Sequence, residues 1–294
     1  MRVLVFGGKS GWIGGQVKAV LAADDASTVV MDAEARMEDL AAVRAELDAR
    51  APDCVIVAAG LTGRPNIDSL EAVDQRILTS LVNVAGTVNV VAECASRGLH
   101  VITFATGCIY EYDAAHALGS GIGFTEDDPP NFGGSYYSRT KAAAEAATRE
   151  LPGHLLLRVR MPITCDGADR CFVTKIAGYP RVVDVPNSVT VLPDLLPLVP
   201  GFIRRRVTGV LNFVNPGPVS HSQILDAYRE LVDPDYTYTV MDMATHDTVV
   251  KARRSNNCLD TSRLQAAAGD AFLPDALTSI RALLARNKPS LGAA

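Results

Sequence analysis

Thr106, Cys108, Tyr137, Lys141 and Lys175 are the side chains whose types and spacing could do chemistry. Tyr137 and Lys141 stand four apart in Tyr137-Ser138-Arg139-Thr140-Lys141, so on a helix both project from one face. An ammonium beside a phenol favours the phenolate and brings the tyrosine toward the working pH, where proton transfer to a carbonyl oxygen is most effective. Thr106 offers a second hydroxyl to that same oxygen.

Such a group needs a cofactor beside it, and the N-terminus supplies the elements. Arg2 to Phe6 is a short apolar strand running into Gly7-Gly8-Lys9-Ser10-Gly11-Trp12-Ile13-Gly14-Gly15, followed by a helical stretch from Gln16 to Ala22. Gly8, Gly11 and Gly14 are spaced G-x-x-G-x-x-G, which permits a tight turn and close approach of backbone N–H groups to a pyrophosphate. Further on, strand-like segments at Ser27–Met31, Cys54–Ala59, Leu99–Ala105 and His154–Val159 alternate with helix-like ones. The helices are expected at Met37–Arg50, at Leu70–Arg97 with a break near Gly86, and at Ala142–Glu150. This alternation predicts an α/β fold with a Rossmann-type doubly wound parallel sheet. Ala58, Ala59 and Gly60 end one strand and Thr106 another, at the carboxyl edge where ligands of open α/β sheets bind.

Tyr112–Gly134 is rich in Gly, Asp and Pro and reads as a long loop. Beyond Pro162 the pattern becomes irregular, with helical stretches at Phe172–Ala177, Leu192–Arg206 and His221–Leu231 and strands at Val182–Val185 and Val210–Val214. We therefore expect a dinucleotide-binding domain over residues 1–160, with a return near 190–215, and a smaller C-terminal substrate-binding domain over residues 161–294. The tail from Arg286 to Ala294 is expected to fray.

With 294 residues and 48% hydrophobic content, the chain can bury a substantial core. A net charge of -5 argues against nucleic acid as the main partner. Neither a signal peptide nor a membrane span is expected, and the chain reads as soluble and cytoplasmic. The cysteines form no C-x-x-C pair and the histidines no H-E-x-x-H pattern, so no metal site is expected.

The glycine turn, the strand-end Thr106 and the Tyr137/Lys141 pair resemble the extended short-chain dehydrogenase/reductases that act on nucleotide sugars. Longer strings sharpen the likeness: Thr62-Gly63-Arg64-Pro65-Asn66, Ala105-Thr106-Gly107-Cys108-Ile109-Tyr110, Pro130-Asn131-Phe132, Arg158-Val159-Arg160-Met161-Pro162-Ile163 and Arg254-Ser255-Asn256-Asn257. Together they resemble the nucleotide-rhamnose synthases, bifunctional epimerase-reductases, over nearly the whole chain. The resemblance implies 3,5-epimerisation of UDP-4-keto-6-deoxy-glucose, then reduction of the 4-keto group by NADPH to UDP-β-L-rhamnose. Thr106 and Tyr137 would hold the C4 oxygen, and Cys108 and Lys175 would exchange protons at C3 and C5. A thiol near an ammonium suits such base work. Arg64, Asn66, Thr106, Cys108, Asn187, Arg254 and Asn256 would line the sugar nucleotide.

The resemblance also implies that Gly8, Lys9, Gly11, Trp12, Ile13, Gly14, Asp32, Arg36, Asp39, Ala58, Ala59, Gly60, Tyr137 and Lys141 bind the cofactor. Asp32 follows the second strand, where an acid binds ribose hydroxyls and favours NADH, whereas Lys9 and Arg36 could clasp a 2′-phosphate. Arg36 matches an arginine of the family, so NADPH is expected, with NADH possible. Gly107 and Cys108 stand where the 4,6-dehydratases of this fold carry Asp-Glu, so an upstream dehydratase must supply the substrate. A homodimer is a fold-level analogy. Asp68-Ser69-Leu70-Glu71 departs from the family's Asp-Trp-Cys-Glu, and Val57 replaces an Asn. Two rivals remain: a 4-keto reductase like dTDP-4-dehydrorhamnose reductase, and a non-catalytic NADP-binding regulatory subunit like that of methionine adenosyltransferase.

Overall fold

The structure is a computed structural model that describes residues 1–291. Its elements follow in chain order. Strand β1 is Arg2–Phe6, helix α1 Trp12–Asp24, β2 Val29–Asp32, α2 Leu40–Arg50 and β3 Cys54–Val57. After a 3-10 turn at Ile67–Glu71 come α3 (Val73–Thr79), a π-helical stretch Ser80–Gly86, and α4 (Thr87–Ser96). Next are β4 (His100–Thr106), α5 (Tyr136–Thr148), β5 (His154–Val159), α6 (Phe172–Ala177), β6 (Arg181–Val183) and α7 (Leu192–Leu195). The rest comprises α8 (Val199–Arg205), β7 (Gly209–Asn212), α9 (His221–Leu231), β8 (Thr239–Met241), α10 (Met243–Val249), α11 (Ser262–Ala268) and α12 (Ala276–Leu291).

The chain divides into two compact units. The first comprises Met1–Ile109, Pro130–Arg158 and Leu196–Leu211; the second comprises Tyr110–Pro129, Val159–Leu195 and Asn212–Ala294. In the first unit the six strands of the parallel sheet lie in the order β2-β1-β3-β4-β5-β7. Strand β1 pairs with both β2 and β3, so the order reverses there, the switch point at which doubly wound sheets bind their ligands. Leu4, Phe6, Val55, Val57 and Val101 of the sheet pack with Val43 and Leu47 of α2 and with Val90, Val91 and Cys94 of α4. Both faces of the sheet must be covered, which explains the near-continuous apolar runs of these strands.

The break expected at Gly86 does not occur. Helix runs without interruption from Val73 to Ser96, passing through the π-helical stretch. A Cβ at Gly86 would lie 2.9 Å from the Cβ of Met37, so glycine serves close packing there. Val73–Ser96 is also long and apolar enough to cross a membrane by length and composition alone, with a mean hydropathy of 1.5. Val90, Val91 and Cys94 on it belong to the core just described. The helix expected over Leu192–Arg206 is instead α7, a 3-10 turn at Leu196–Leu198, and α8. Pro197 and Pro200 lack the N–H that an uninterrupted ladder would use.

In the second unit β6 and β8 form a parallel pair, and α9 packs on α12 and α6. Arg160, 1% exposed, is the polar hub: it donates to Asn187 Oδ1 at 2.6 Å, to Ser255 Oγ at 2.9 Å and to the Ser188 carbonyl at 3.3 Å. The tail expected to fray from Arg286 is helical to Leu291, and its last part, residues 292–294, lies outside the described residues.

Candidate active site

The turn after β1 is built around one carbonyl. Gly7 has φ +85°, and a Cβ at either Gly11 or Gly14 would lie 2.2 Å from the Gly7 oxygen, so neither position accommodates a side chain. A Cβ on Gly7 would itself lie 2.7 Å from Ala59 N, which sets the turn against the Ala58-Ala59-Gly60 end of β3. Gly11 then caps α1 with no side-chain hydrogen bond and no acid in the first turn. The leading N–H groups of α1, on Trp12, Ile13 and Gly14, are left for an anion by the geometry common to helix starts. These residues fit the diphosphate of a dinucleotide.

At the carboxyl end of β2, Asp32 accepts Lys18 Nζ through both oxygens at 2.7 and 2.6 Å. Lys9 pairs with Glu34 at 2.5 Å, and Arg36 with Glu38 at 2.6 Å. Asp39 caps α2, accepting the Ala42 N–H at 3.0 Å. Asn83, 1% exposed, holds the chain after Gly60 by accepting Leu61 N at 2.8 Å and donating to Leu61 O at 2.9 Å.

Strand β4 carries Thr106 to its end and α5 brings Tyr137 beside it. The Thr106 hydroxyl accepts the Cys108 N–H at 3.1 Å, and Thr106 and Cys108 both act on the Tyr137 phenol. Two hydroxyls and a thiol therefore converge. Helix α5 is secured at several points: Ser135 Oγ accepts Ser138 N at 3.0 Å, and Glu71 accepts Tyr136 N at 2.7 Å. Ser138 Oγ donates to the Cys108 carbonyl at 2.6 Å, tying the thiol's own peptide to the helix. Glu71 also holds Arg76 at 2.9 Å. Lys18, Glu71, Asn83 and Ser138 were given no role from sequence; Glu71 and Ser138 lie in strings read there, but only tertiary contact shows what they hold.

The electrostatics correct one expectation. Burial, then the neighbouring Cys108, pushes the Tyr137 phenol above its ordinary range, with the Thr106 hydrogen bond opposing. Lys141 does not draw it down: its amine donates to the Phe104 carbonyl at 3.4 Å. Desolvation lowers Lys141 itself to about 8, opposed by Glu145. Sharing a helix face does not couple the pair: burial dominates the shift of each, and neither group shifts the other.

Among the other expected ligands in the first unit, Asn66 Oδ1 accepts Asp68 N at 2.9 Å, and the Arg64 N–H donates to Ser69 Oγ at 3.1 Å. Lys175, Asn187, Arg254 and Asn256 belong to the second unit. Lys175 is exposed on α6, where partial desolvation and then Arg170 lower its pKa and Cys171 opposes. Helix α6 starts at Cys171 without a side-chain cap. The buried Cys165 thiol hydrogen-bonds Cys171 and holds it below the usual thiol range. Asn187 spends its amide on neighbours, donating to Val185 O and Asn256 Oδ1 and accepting from Arg160 and Asn257 N.

A doubly wound sheet, a glycine turn at its switch point and a Thr–Tyr–Lys set at the end of β4 define a Rossmann-type reductase. The chain belongs to the RmlD substrate binding domain family, which matches residues 1–177. It is 44% identical over 259 residues, 88% of this chain and 85% of the relative, to the bifunctional dTDP-4-dehydrorhamnose 3,5-epimerase/dTDP-4-dehydrorhamnose reductase of Arabidopsis thaliana. It is 43% identical over 265 residues, 90% of this chain, to the trifunctional UDP-glucose 4,6-dehydratase/UDP-4-keto-6-deoxy-D-glucose 3,5-epimerase/UDP-4-keto-L-rhamnose-reductase RHM3 of the same plant, of which it spans 39%. Among solved structures, the L780 UDP-rhamnose synthase of Acanthamoeba polyphaga mimivirus superimposes with a TM-score of 0.91 at 36% identity, covering 97% of this chain and 99% of that one. A dTDP-4-dehydrorhamnose reductase from Bacillus anthracis, solved with NADP, shares the fold at a TM-score of 0.78 and 18% identity, covering 97% and 99%.

Proposed function

We propose that the protein is a bifunctional 3,5-epimerase and NADPH-dependent 4-keto reductase that converts UDP-4-keto-6-deoxy-glucose to UDP-β-L-rhamnose. The observation that carries this reading is the grouping of Thr106, Cys108 and Tyr137 at the end of β4 and the start of α5, in a chain so similar to named epimerase-reductases. Residues 1–160 with the return near 190–215 bind the cofactor, and residues 161–294 the sugar nucleotide.

Both C3 and C5 are α to the C4 carbonyl, so their protons become acidic once the developing enolate oxygen is stabilised. Thr106 and Tyr137 donate hydrogen bonds to that oxygen. Cys108 and Lys175 remove a proton from one face and return one on the other. The lowered pKa of Lys175 increases its neutral, basic fraction. Bound NADPH supplies hydride to C4. Tyr137, kept protonated by burial, passes its proton to the alkoxide, and Lys141, lowered to about 8, replenishes it. Arg64, Asn66, Arg254 and Asn256 orient the sugar nucleotide, while Asn187 holds Asn256 at 2.8 Å.

An upstream 4,6-dehydratase supplies the substrate, consistent with the dehydratase named in the trifunctional relative. A homodimer forms through the helix at Val73–Ser96, where Val73, Ile77 and Leu81 make an exposed apolar stripe at i, i+4 and i+8 spacing. Six free cysteines among the described residues support a reducing, cytoplasmic location.

The test is incubation with UDP-4-keto-6-deoxy-glucose and NADPH in heavy water. UDP-rhamnose carrying deuterium at C3 and C5 is expected. Turnover that requires an added epimerase would reduce the activity to that of a simple reductase, and cofactor binding without turnover would favour a regulatory role.

A further inference from the structure

Asp32 occupies the position at which an acid binds the ribose hydroxyls of NAD and repels the 2′-phosphate of NADP. In this protein that acid is already engaged. Lys18, from the second turn of α1, reaches it with contacts of 2.6 and 2.7 Å, and the two side chains are 28% and 25% exposed. The pair lies under the glycine turn: a Cβ at Gly8 would stand 2.2 Å from Asp32 Oδ1 and 2.8 Å from Lys18 Cδ. Gly8 thus makes room for the ion pair as well as for the turn.

Around it the other cations are themselves far more exposed than Lys18. Lys9 and Glu34 are 58% and 57% exposed, and Arg36 is 73% exposed where it meets Glu38, itself 23% exposed. Pairs whose cation is so open to water contribute little. They exchange partners readily, and a dianionic phosphate is a stronger acceptor than a single carboxylate. Glu46 does not compete for these cations, because its carboxylate accepts the backbone N–H groups of Glu34 and Ala35.

From this arrangement we infer that Lys18 is a cofactor-specificity residue: by neutralising Asp32 from inside the fold, it lets Lys9 and Arg36 receive a 2′-phosphate that an unpaired Asp32 would repel. The inference rests on the proposed use of NADPH. It explains how an acid characteristic of NAD sites coexists with NADPH binding. Lys18 acts through Asp32 and is assigned no contact with the cofactor.

The test is a binding cycle on the intact protein, read by fluorescence titration of NADPH and NADH and by calorimetry with adenosine 2′,5′-bisphosphate against AMP. Lys18→Met should weaken NADPH and the bisphosphate tenfold or more while NADH and AMP bind as before or more tightly. Lys18→Arg should retain the wild-type preference, and Lys18→Met/Asp32→Asn should restore NADPH binding to within a few fold. Equal weakening of both cofactors in Lys18→Met, or failure of the double variant to recover, would overturn the specificity role. If Lys18→Met does not fold, Asp32→Asn alone decides: unchanged NADPH/NADH discrimination defeats the inference, and a shift toward NADPH supports it. Wild-type protein that binds neither dinucleotide would sink the proposed function itself, a result distinguishable from either.

Discussion

Helices α5 and α6 carry the two lysines of the proposed mechanism and are built very differently. Helix α5 has 13 residues and a serine cap, with Glu71 at its first turn, Ser138 tied to the Cys108 carbonyl and Tyr136 bonded to Ser80 at 2.7 Å. Helix α6 has 6 residues, no side-chain cap, and a buried Thr174 hydroxyl without a partner among the described residues. So short a helix has little stability of its own. Under the proposed mechanism, hydride reduction, which needs one oxygen held still, falls to the secured helix. Exchange on two faces of a ring is assigned to a group on a lightly held one.

The comparison breaks first at Tyr137. Tyr137→Phe should lower the rate of NADPH oxidation by about 100-fold or more, and turnover near wild type would remove it as proton donor. Lys175→Ala should abolish deuterium incorporation at C3 and C5 while NADPH still binds; exchange at the wild-type rate would take α6 out of the chemistry. Glu71→Ala should destabilise by about 1 kcal/mol, as loss of a helix-start acceptor does. It should also slow reduction, and a kcat unchanged at a lowered Tm would make Glu71 merely structural.

Lys141 sharpens the comparison through pH. Its folded pKa is lowered to about 8, whereas an unfolded lysine titrates near ~10.4. Between those values the unfolded chain holds more protons, so this residue's contribution to stability rises with pH there and its cost is full below 8. Lys141→Met should therefore melt higher than wild type at pH 7, with the gap closing toward pH 10. A gap that stays constant would mean that the amine is not desolvated. The smallest effect is expected at Thr174→Val, which replaces an unsatisfied hydroxyl by a methyl and should change stability by less than about 1 kcal/mol; a larger loss would show α6 to be as firmly held as α5.

Local signals were legible where they were strong. His154–Val159 and His221–Leu231 form as expected, the first entirely buried, the second started by a capping box between Ser220 and Gln223. The strand-end position of Thr106 and the shared helix of Tyr137 and Lys141 were equally plain. Gly86 was misread because a glycine that admits a neighbour looks the same in sequence as one that ends a helix. The partner of Lys141 was not legible either, since the Phe104 carbonyl lies 37 residues away in the chain. Lys18 stands in no motif, and Glu71 only ends the Asp68–Glu71 string without a role read from it; a salt bridge 14 residues apart and a helix cap 65 residues apart exist only once the sheet has formed.

The Gly7 oxygen fills the space that side chains at 11 and 14 would need, and a side chain on Gly7 itself would strike the peptide of Ala59. A methyl added to either later glycine must displace that peptide, and the displacement is passed to the end of β3. The first turn and the third strand are thus mechanically coupled, so a tolerated change in one should require a compensating change in the other, and lineages that relax the glycine spacing should also differ at positions 58–60.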